Sequence, residues 1–268
     1  MDLKKFSHQI YKYRILYFLG AASVIVSIYY AVVYGAWLLL LASYLWSRWV
    51  GFLGNQIALH RYFAHKSFTT TPIKHQFLLW FSILGGEGSP ITWASHHRHH
   101  HKYTETERDI HSPYESILLS TVGWQIKPAK WWLSERQVRT IPKDLLRDES
   151  IKFVDKHYYN IWALLILGSF LIDWKLCVFF VLAPVGHGIV SGAILNWFGH
   201  WKLPKSYRSF ETPDKTYNNQ LVALYLGGEG LHNNHHYDTS KYDQAFNPGE
   251  IDLGGKLVRK FFATNAEK

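Results

Sequence analysis

Residues 36–60, AWLLLLASYLWSRWVGFLGNQIALH, form the second half of an apolar stretch that runs from Ile15 to Leu59, with Arg48 as its only charged residue. The stretch is too long for one membrane-spanning helix, which needs about 20 apolar residues, and it is long enough for two. The break between the two helices is predicted near Tyr34-Gly35. We therefore expect a hairpin of two spans, at about residues 15–33 and 36–58.

A second apolar block follows later in the chain. It runs from Tyr158 to Trp201 and is interrupted only by Asp173-Trp174-Lys175. Two further spans are predicted, at about residues 159–172 and 176–197, joined by that polar turn. A buried helical hairpin of a soluble protein is the alternative interpretation, but Trp and Tyr residues near the ends of both blocks favour a membrane.

Lysine and arginine concentrate outside the apolar blocks, in the N-terminal segment and in about residues 60–157 and 200–268. Because such residues are enriched on the cytoplasmic side of membrane proteins, both termini and both polar regions are predicted to be cytoplasmic. No cleavable signal peptide is expected, since the first apolar stretch continues into a second span without a small-residue cleavage site. The predicted fold class is an all-α, multi-pass integral membrane protein of the bacterial inner membrane or endoplasmic reticulum. Its single domain, residues 1–268, would have four transmembrane helices in two hairpins under a cytoplasmic helical cap.

Two stretches of the predicted cap have an interfacial composition. Phe77–Leu84 is apolar but too short to cross a bilayer, and Trp124–Trp132 carries Lys127 and Lys130 among aromatic residues. The net charge of +9 is explained by the topology, so nucleic-acid binding is not expected. A basic cap is compatible with phosphate-rich CoA, anionic lipid headgroups or an acidic electron donor.

Eight of the sixteen histidines fall into three motifs. The first motif is His60-Arg61-Tyr62-Phe63-Ala64-His65, and the pattern His-x-x-His-His occurs at residues 97–101 and again at residues 232–236. Positions i, i+3 and i+4 share one face of a helix, so each triplet can direct three imidazoles at one point. Neutral imidazole binds iron, copper, nickel and zinc, so the motifs predict metal binding without selecting the metal. The single cysteine, Cys177, excludes a disulfide framework and a four-thiolate metal site.

Eight imidazoles are too many for one metal ion and suit two. Partners are needed to orient the rings, and the candidates close to the motifs in sequence are Glu105, Asp109 and Glu229. His96 and His99 point off the shared helix face and are expected to pack or support, and the histidines at 8, 75, 111, 157 and 187 have no ligand spacing. The His-Glu-x-x-His motif is absent, and so is the full set of Glu-x-x-His pairs of soluble di-iron bundles. Leu-Gly-Gly-Glu-Gly occurs at residues 84–88 and 226–230, before the second and third motifs, but five residues do not establish a duplication.

The series of histidine motifs on a two-plus-two pattern of spans resembles the membrane fatty acyl desaturases, in particular the stearoyl-CoA (delta-9 acyl-CoA) type. The similarity extends from about Gly51 to Asp238. It includes Trp93-Ala94 before the second motif and Lys102-Tyr103-Thr104-Glu105-Thr106 after it. Asn196-Trp197-Phe198-Gly199-His200 also matches a family pattern near the end of the fourth span.

The resemblance implies two iron ions, with zinc able to occupy the same sites in purified samples. It implies that Asn196 acts through a bound water and that nine histidines bind the metals: His60, His65, His97, His100, His101, His200, His232, His235 and His236. His200 is added by the resemblance alone. The implied reaction is the oxygen-dependent insertion of a cis double bond into a saturated fatty acyl chain. Two electrons would come from a separate protein such as cytochrome b5 or ferredoxin.

Two departures from the family leave the acyl carrier open among CoA, a membrane lipid and acyl carrier protein. Ser95-His96 stands where many acyl-CoA members have Arg-Asp before the second motif. Tyr237-Asp238-Thr239 follows the third motif, where the family usually continues toward a Phe-Pro pair. Acyl-CoA desaturated at the delta-9 position is the function that the resemblance favours.

Two residues of the second predicted span are candidates for the substrate tunnel. Tyr44 lies about 24 Å from His60 along a helix and matches a chain-length position of the family, although ordinary helix packing explains it equally well. Arg48 lies about 18 Å from His60. An ionisable residue inside a span is a candidate for function. For Arg48 the sequence leaves open pairing with Asn or backbone groups, a position facing a water-filled pocket, and a span boundary that differs from the predicted one.

Other reactions remain compatible with the motifs. Hydroxylation of the acyl chain, or further dehydrogenation to an alkyne, would use the same histidines. A non-redox metal-binding membrane protein or a zinc-dependent membrane hydrolase is a more distant alternative. If such a protein handled ions, its pathway would need several ionisable residues within the spans.

Overall fold

The computed structural model describes residues 3–114, 116–123 and 142–264, so the predicted interfacial stretch Trp124–Trp132 lies outside the described residues. The chain begins with helix α1, Leu3–Tyr34. Gly35, with a φ of 65°, provides the turn at the predicted position, and α2 follows at Trp37–Val50. Helix α2 continues without interruption into a π-helical segment, Gly51–Ala64, in which backbone N–H groups bond to carbonyls five residues earlier.

The remaining helices belong partly to the cap and partly to the second apolar block. Helix α3 is Pro72–Ile83 and α4 is Pro90–Tyr103, followed by single turns at Leu119–Gly123 and Leu145–Arg147. The later helices are α5 (Glu149–Ile172), α6 (Trp174–Phe198), α7 (Gln220–Tyr225), α8 (His232–Tyr237) and α9 (Leu253–Leu257). Helix α6 contains a π-helical turn at Cys177–Leu182, and α9 is continued by another at Val258–Phe262. Within the described ranges, extended pairing is confined to two isolated antiparallel bridges of Asn218, with Tyr207 and with Leu231. The all-α prediction is confirmed for these residues.

The cap helices begin where the sequence provides capping residues. The hydroxyls of Thr71 and Ser89 accept hydrogen bonds from the backbone N–H groups three residues later, and each is followed by a proline at the first helical position. Asp148 caps α5 by accepting from the N–H groups of Ser150 and Ile151, at 2.8 and 3.1 Å. Helix α5 therefore starts at Glu149, about ten residues before the predicted span, and its first half belongs to the cap.

Helix α6 is the central element of the apolar part, because both α1 and α2 pack along it. The backbones of α1 and α6 approach closely at Gly20 and Gly186, where a Cβ on Gly186 would lie 2.4 Å from the Gly20 carbonyl oxygen. Small residues allow such close packing between helices. Pro184 has no N–H to donate to the carbonyl of Phe180, which instead accepts from Trp46 Nε1 of α2 at 2.8 Å.

Two helices of the described chain are long and apolar enough to cross a bilayer, Ile15–Tyr34 and Trp174–Phe198, and they coincide with two predicted spans. Helix α2 with its π-helical continuation covers the predicted span 36–58, and the second half of α5 covers 159–172. Large apolar side chains on these helices face outward, for example Leu38 at 83% and Ile172 at 78% exposure. Outward-facing apolar surface is typical of contact with lipid. The four-span topology stays a prediction.

Helices α3 and α4 pack against the π-helical segment, which thus runs from the apolar part into the centre of the cap. Its buried side chains include Ile57, Leu59 and Phe63. Ile57 and Phe63 form one core with Leu78 and Leu79 of α3 and other buried residues. The histidines are therefore carried by packed helices whose orientation is fixed by this core.

Candidate metal centre

The π-helical winding accounts for the spacing of the first histidine motif. In an α-helix, residues five positions apart lie about 140° apart around the axis. Here the N–H of His65 donates to the carbonyl of His60 at 3.0 Å, a bond between residues five positions apart. The two imidazoles consequently lie on the same side, with ring centroids 4.8 Å apart.

The two His-x-x-His-His motifs lie on α4 and α8, and each divides its side chains between two groups. The i and i+4 residues of α4, His97 and His101, join the first group, whereas His100 joins the second. On α8 the division is reversed, because His235 joins the first group and His232 and His236 join the second. Consecutive helical residues diverge by about 100°, so neighbouring histidines turn toward different centres instead of one common point.

The nine histidines thus form two groups, in each of which one nitrogen per ring lies within 4.8 Å of all the others. The first group is His60, His65, His97, His101 and His235, and the second is His100, His200, His232 and His236. His200 follows the end of α6 and reaches the second group from the apolar part of the fold. Both groups are able to hold a metal ion.

Ring nitrogens of the first group lie so close together that a cation between them would stabilise the arrangement. His60 Nε2 lies 3.0 Å from His235 Nε2, and His65 Nε2 lies 2.7 Å from His97 Nε2. The Nδ1 atom of His60 faces the Glu229 carboxylate at 2.6 Å, so a proton on Nδ1 would point at that carboxylate and leave the lone pair on Nε2. A positive ion between such lone pairs replaces their repulsion by coordination.

Burial keeps six of the nine imidazoles neutral. Removal from water, followed by the effect of neighbouring imidazoles or arginines, lowers the pKa far below the usual histidine range in His65, His97, His101, His232, His235 and His236. His236 Nε2 is buried and has no hydrogen-bond partner among the described residues. Neutral imidazoles with free lone pairs are the form that binds a metal.

Comparison with known proteins agrees with this geometry. The fatty acid desaturase family model matches residues 35–241. The chain belongs to the fatty acid desaturase family. Curated desaturases related to it include the icosanoyl-CoA 5-desaturase of Limnanthes douglasii, 29% identical over 215 residues, which cover 78% of this chain and 58% of that protein. The delta-9 acyl-lipid desaturase 2 of Arabidopsis thaliana is 31% identical over 233 residues, which cover 85% of this chain and 73% of that protein. A hex-5-enoyl-[acyl-carrier protein] acetylenase of Moorena producens is 27% identical over 231 residues, covering 77% and 68%.

The three acidic residues singled out in the sequence each contact a histidine of this desaturase. Glu229 faces His60 at 2.6 Å, Asp109 lies 3.0 Å from His100 Nδ1, and Glu105 lies 3.0 Å from His200 Nδ1. A carboxylate at the outer nitrogen fixes the ring orientation and leaves the inner nitrogen for a metal. Burial alone would raise the pKa of Glu229, but His60 and Arg61 outweigh burial and lower that pKa to about 2.

Sequence reasoning missed four residues around the centre. Asp214 contacts His236 Nδ1 at 3.1 Å, and the amide nitrogen of Gln244 lies 3.4 Å from His235 Nδ1. Arg61 lies within the first motif, between its histidines, and binds Glu229 and Asp252. Asp214, Gln244 and Asp252 lie in segments without a histidine motif, so local spacing carried no signal for them.

The other histidines take varied positions. His111, which has no ligand spacing, lies with its ring 4.2 Å from that of His100 and forms a third close set with His100 and Asp109. His96 lines a cavity beside the two groups, and His99 Nε2 lies 2.9 Å from the carbonyl oxygen of Arg108. His75 contacts the hydroxyl of Tyr62 at 2.9 Å, away from both groups.

The cavity beside the two histidine groups extends between α1, the π-helical segment and α6. Its lining includes Tyr17, Asn55, Trp93, Leu195 and Asn196 together with histidines of both groups. The Asn196 side chain donates to the carbonyl of Ser120 at 2.8 Å. Both copies of Leu-Gly-Gly-Glu-Gly contribute their glutamate to the cavity, Glu87 before α4 and Glu229 before α8.

Tyr44 and Arg48 lie outside the lining of that cavity in the described structure. Tyr44 lines a second cavity, deeper among α1, α2 and α6, where its ring meets that of His187 edge-on at 5.5 Å. Arg48 donates to Ser191 Oγ at 3.0 Å and to the carbonyl of Tyr225, and its guanidinium lies 4.2 Å above the Tyr225 ring. Arg48 therefore joins α2, α6 and the C-terminal end of α7.

Proposed function

We propose that this chain is an oxygen-dependent di-iron desaturase that inserts a cis double bond into a saturated fatty acyl chain. The observation that supports the proposal most directly is the division of nine imidazoles, all buried or partly buried, into two adjacent groups. When bound, the iron pair supplies the redox chemistry that an unactivated C–H bond requires, since acid–base groups alone cannot remove hydrogen from a methylene. Two electrons would come from a separate donor protein such as cytochrome b5 or ferredoxin.

The protein's own contribution is to hold nine rings in place. Glu229, Asp109, Glu105 and Asp214 each lie against the outer ring nitrogen of one histidine and so direct the inner nitrogen toward the metal. These contacts involve His60 of the first group and three histidines of the second. Asn196, which lines the cavity beside the second group, is assigned to a water-mediated contact with the metal of that group.

The cavity beside the histidine groups is the proposed position of the reacting methylenes. Trp93 forms part of its wall, and its ring stacks on that of His97 with centroids 4.7 Å apart. A close-fitting apolar wall holds an acyl chain in one orientation and excludes water from the reaction. The remainder of the chain would continue between α1, α2 and α6 toward the second cavity, whose lining includes Tyr44.

We propose acyl-CoA as the substrate carrier and delta-9 as the position of the double bond. The basic cap suits the phosphates of CoA. A lipid or acyl-carrier-protein substrate is the second candidate. It is favoured by Ser95-His96, which replaces an acidic and basic pair, and by the acyl-lipid and acyl-carrier-protein substrates in the names of two relatives. We also propose that residues 1–268 form one domain with four spans and that both ends of this sequence lie in the cytoplasm.

The test is the fatty-acid profile of an aerobically grown host that lacks oxygen-dependent desaturation and expresses the chain. We expect a new alkene, located by mass spectrometry, that disappears without oxygen and in a His100→Ala variant. His157→Ala, which removes a histidine of α5 distant from both groups, is the matched control and should retain the product. A hydroxylated or alkynyl product would instead identify a different oxidation at the same site, and feeding acyl-CoA, lipid or carrier-protein substrates to the purified enzyme would identify the carrier.

A further inference from the structure

The segment that follows the third histidine motif contains fully buried side chains that contact residues of, or next to, the first histidine group. This segment, residues 242–264, lies beyond the stretch that the family model matches. Asp252 and Gln244 are both completely buried within it. A buried carboxylate is costly unless it is paired and hydrogen-bonded, so its partners indicate what it stabilises.

The Asp252 carboxylate accepts four hydrogen bonds from three donor groups. Its oxygens accept from Arg61 Nη1 at 2.9 and 3.1 Å, from the N–H of Gln244 at 2.7 Å and from the N–H of Gly255 at 2.8 Å. Arg61 is itself 1% exposed and also donates to the carbonyl of Tyr242 at 2.7 Å. The carboxylate therefore anchors both the arginine of the first motif and the backbone of its own segment.

One branch of this network leads to His60. Arg61 donates through Nε and Nη2 to one oxygen of Glu229, at 3.0 and 2.9 Å, and the other oxygen of Glu229 faces His60 Nδ1 at 2.6 Å. The second branch leads to His235, because Asp252 holds the backbone of Gln244, whose side-chain amide lies 3.4 Å from His235 Nδ1. His60 and His235 face each other in the first group, with their Nε2 atoms 3.0 Å apart.

The second group has no such connection in the part of the chain that the structure describes. Its rings are oriented by Asp109, Glu105 and Asp214, none of which contacts Asp252 or Arg61 in the hydrogen bonds described. We propose that Asp252 is a positioning residue for the first metal group alone, acting on His60 through Arg61 and Glu229 and on His235 through Gln244. The inference rests on the proposed function in one respect, namely that each group holds one metal ion.

The experiment compares metal release from the full-length wild-type protein and from Asp252→Asn, both loaded with ferrous iron and challenged with an excess of a chelator. Loss of a supporting carboxylate typically weakens metal binding by about 10- to 100-fold. We expect the wild-type chain to bind two irons and to release them in two phases. In Asp252→Asn, only one of these phases should become faster, by at least about tenfold. Asp243→Asn is the matched control, since Asp243 also pairs with an arginine of this segment, Arg259 at 3.0 Å, but leads to no ligand.

Gln244→Met keeps the side-chain length and removes only the branch to His235, so it serves if Asp252→Asn does not fold. It should accelerate the same phase, by a smaller factor. If both release phases accelerate equally, or if neither accelerates in a folded variant, the inference is overturned while the proposed function stands. A wild-type chain that retains no iron would overturn the proposed function and this inference with it.

Discussion

The indole of Trp93 stacks on the imidazole of His97, with ring centroids 4.7 Å and planes 25° apart. Its Nε1 donates to Glu87 Oε2 at 2.9 Å, and the other oxygen of Glu87 accepts from Asn55 at 2.6 Å. One carboxyl group thus joins the π-helical segment to the wall of the cavity beside the first histidine group. Its ionisation bears on both stability and substrate binding, because that cavity is the proposed position of an apolar chain.

The first prediction concerns the pH dependence that Glu87 imposes. Burial raises the pKa of Glu87 to about 7, only partly offset by the hydrogen bond from Trp93, whereas the unfolded chain has the ordinary value near 4.5. Between these values the folded protein binds more protons than the unfolded one, so the stabilising effect of the neutral carboxyl is lost as pH rises toward and past 7. Glu87→Gln should remove this dependence, which amounts to about 3 kcal/mol across the interval.

The measurement is the difference in the free energy of unfolding between wild type and Glu87→Gln from pH 5 to pH 8. Taking the difference cancels the contribution of the buried histidines, which has the opposite sign because their pKa values are lowered. Glu149→Gln, at an exposed carboxylate, should show no such trend. The prediction is contradicted if this difference in the free energy of unfolding does not change with pH.

The second prediction concerns Asp214, which the sequence motifs did not reveal. Burial opposes ionisation of Asp214, but His236 and the hydroxyls of Thr216 and Thr212 outweigh it and lower its pKa well below the usual range. Asp214→Asn should weaken iron binding by the second group about tenfold or more and leave the first group unchanged. Iron content after dialysis against a chelator measures this, with the exposed Glu211→Gln of the same loop as control. Full iron retention in Asp214→Asn would show that His236 needs no such partner.

The third prediction concerns the contact between α1 and α6. A Cβ on residue 186 would meet the Gly20 carbonyl oxygen at 2.4 Å, a distance that requires the two helices to separate. Gly186→Ala should therefore lower the thermal unfolding temperature, despite the better helix propensity of alanine. Gly168→Ala on α5 is the same substitution in open space, and it should be neutral or slightly stabilising. Equal effects of the two substitutions would argue against a close helix contact.

The fourth prediction concerns the length of the acyl chain. Tyr44 lines the deeper cavity, and Tyr44→Ala should enlarge it and shift the products toward longer chains if the acyl chain ends there. Gas chromatography of host fatty acids measures the product lengths. Leu45→Ala, on the adjacent outward face of α2 at 57% exposure, should leave the length distribution unchanged. A distribution that does not change in Tyr44→Ala would assign Tyr44 to helix packing.

Local patterns predicted the parts of the structure that depend on local spacing. The turn at Gly35, the capped starts of α3 and α4, and the helical positions of His97, His100 and His101 follow from residues within one or two turns of each other. Glu105, Asp109 and Glu229 were found because they lie near the motifs they serve. The resemblance to a family was needed for His200, which lies 32 residues from the nearest ligand of the third motif and contacts its ring at 3.2 Å.

Other features depend on contacts between distant segments, for which sequence spacing holds no information. Arg48 looked like an isolated charge in an apolar span, and its partners Ser191 and Tyr225 lie 143 and 177 positions away. The division of each histidine triplet between two groups depends on how α4 and α8 face each other. The π-helical winding of Gly51–Ala64 was not anticipated either, although the five-residue spacing of His60 and His65 is its signature.

The wide separation of the ligands along the chain has a consequence for biosynthesis. The first group combines His60 with His235, and the second is incomplete until His236 has been made. A ribosome must therefore translate nearly nine-tenths of the 268 residues before either group can exist, and Asp252 emerges later still. Under the proposed function, the early helices are therefore made before any metal can bind, and iron delivery would be a late step of maturation. Chains that terminate prematurely before residue 232 would lack three of the nine histidines and would remain permanent apoproteins.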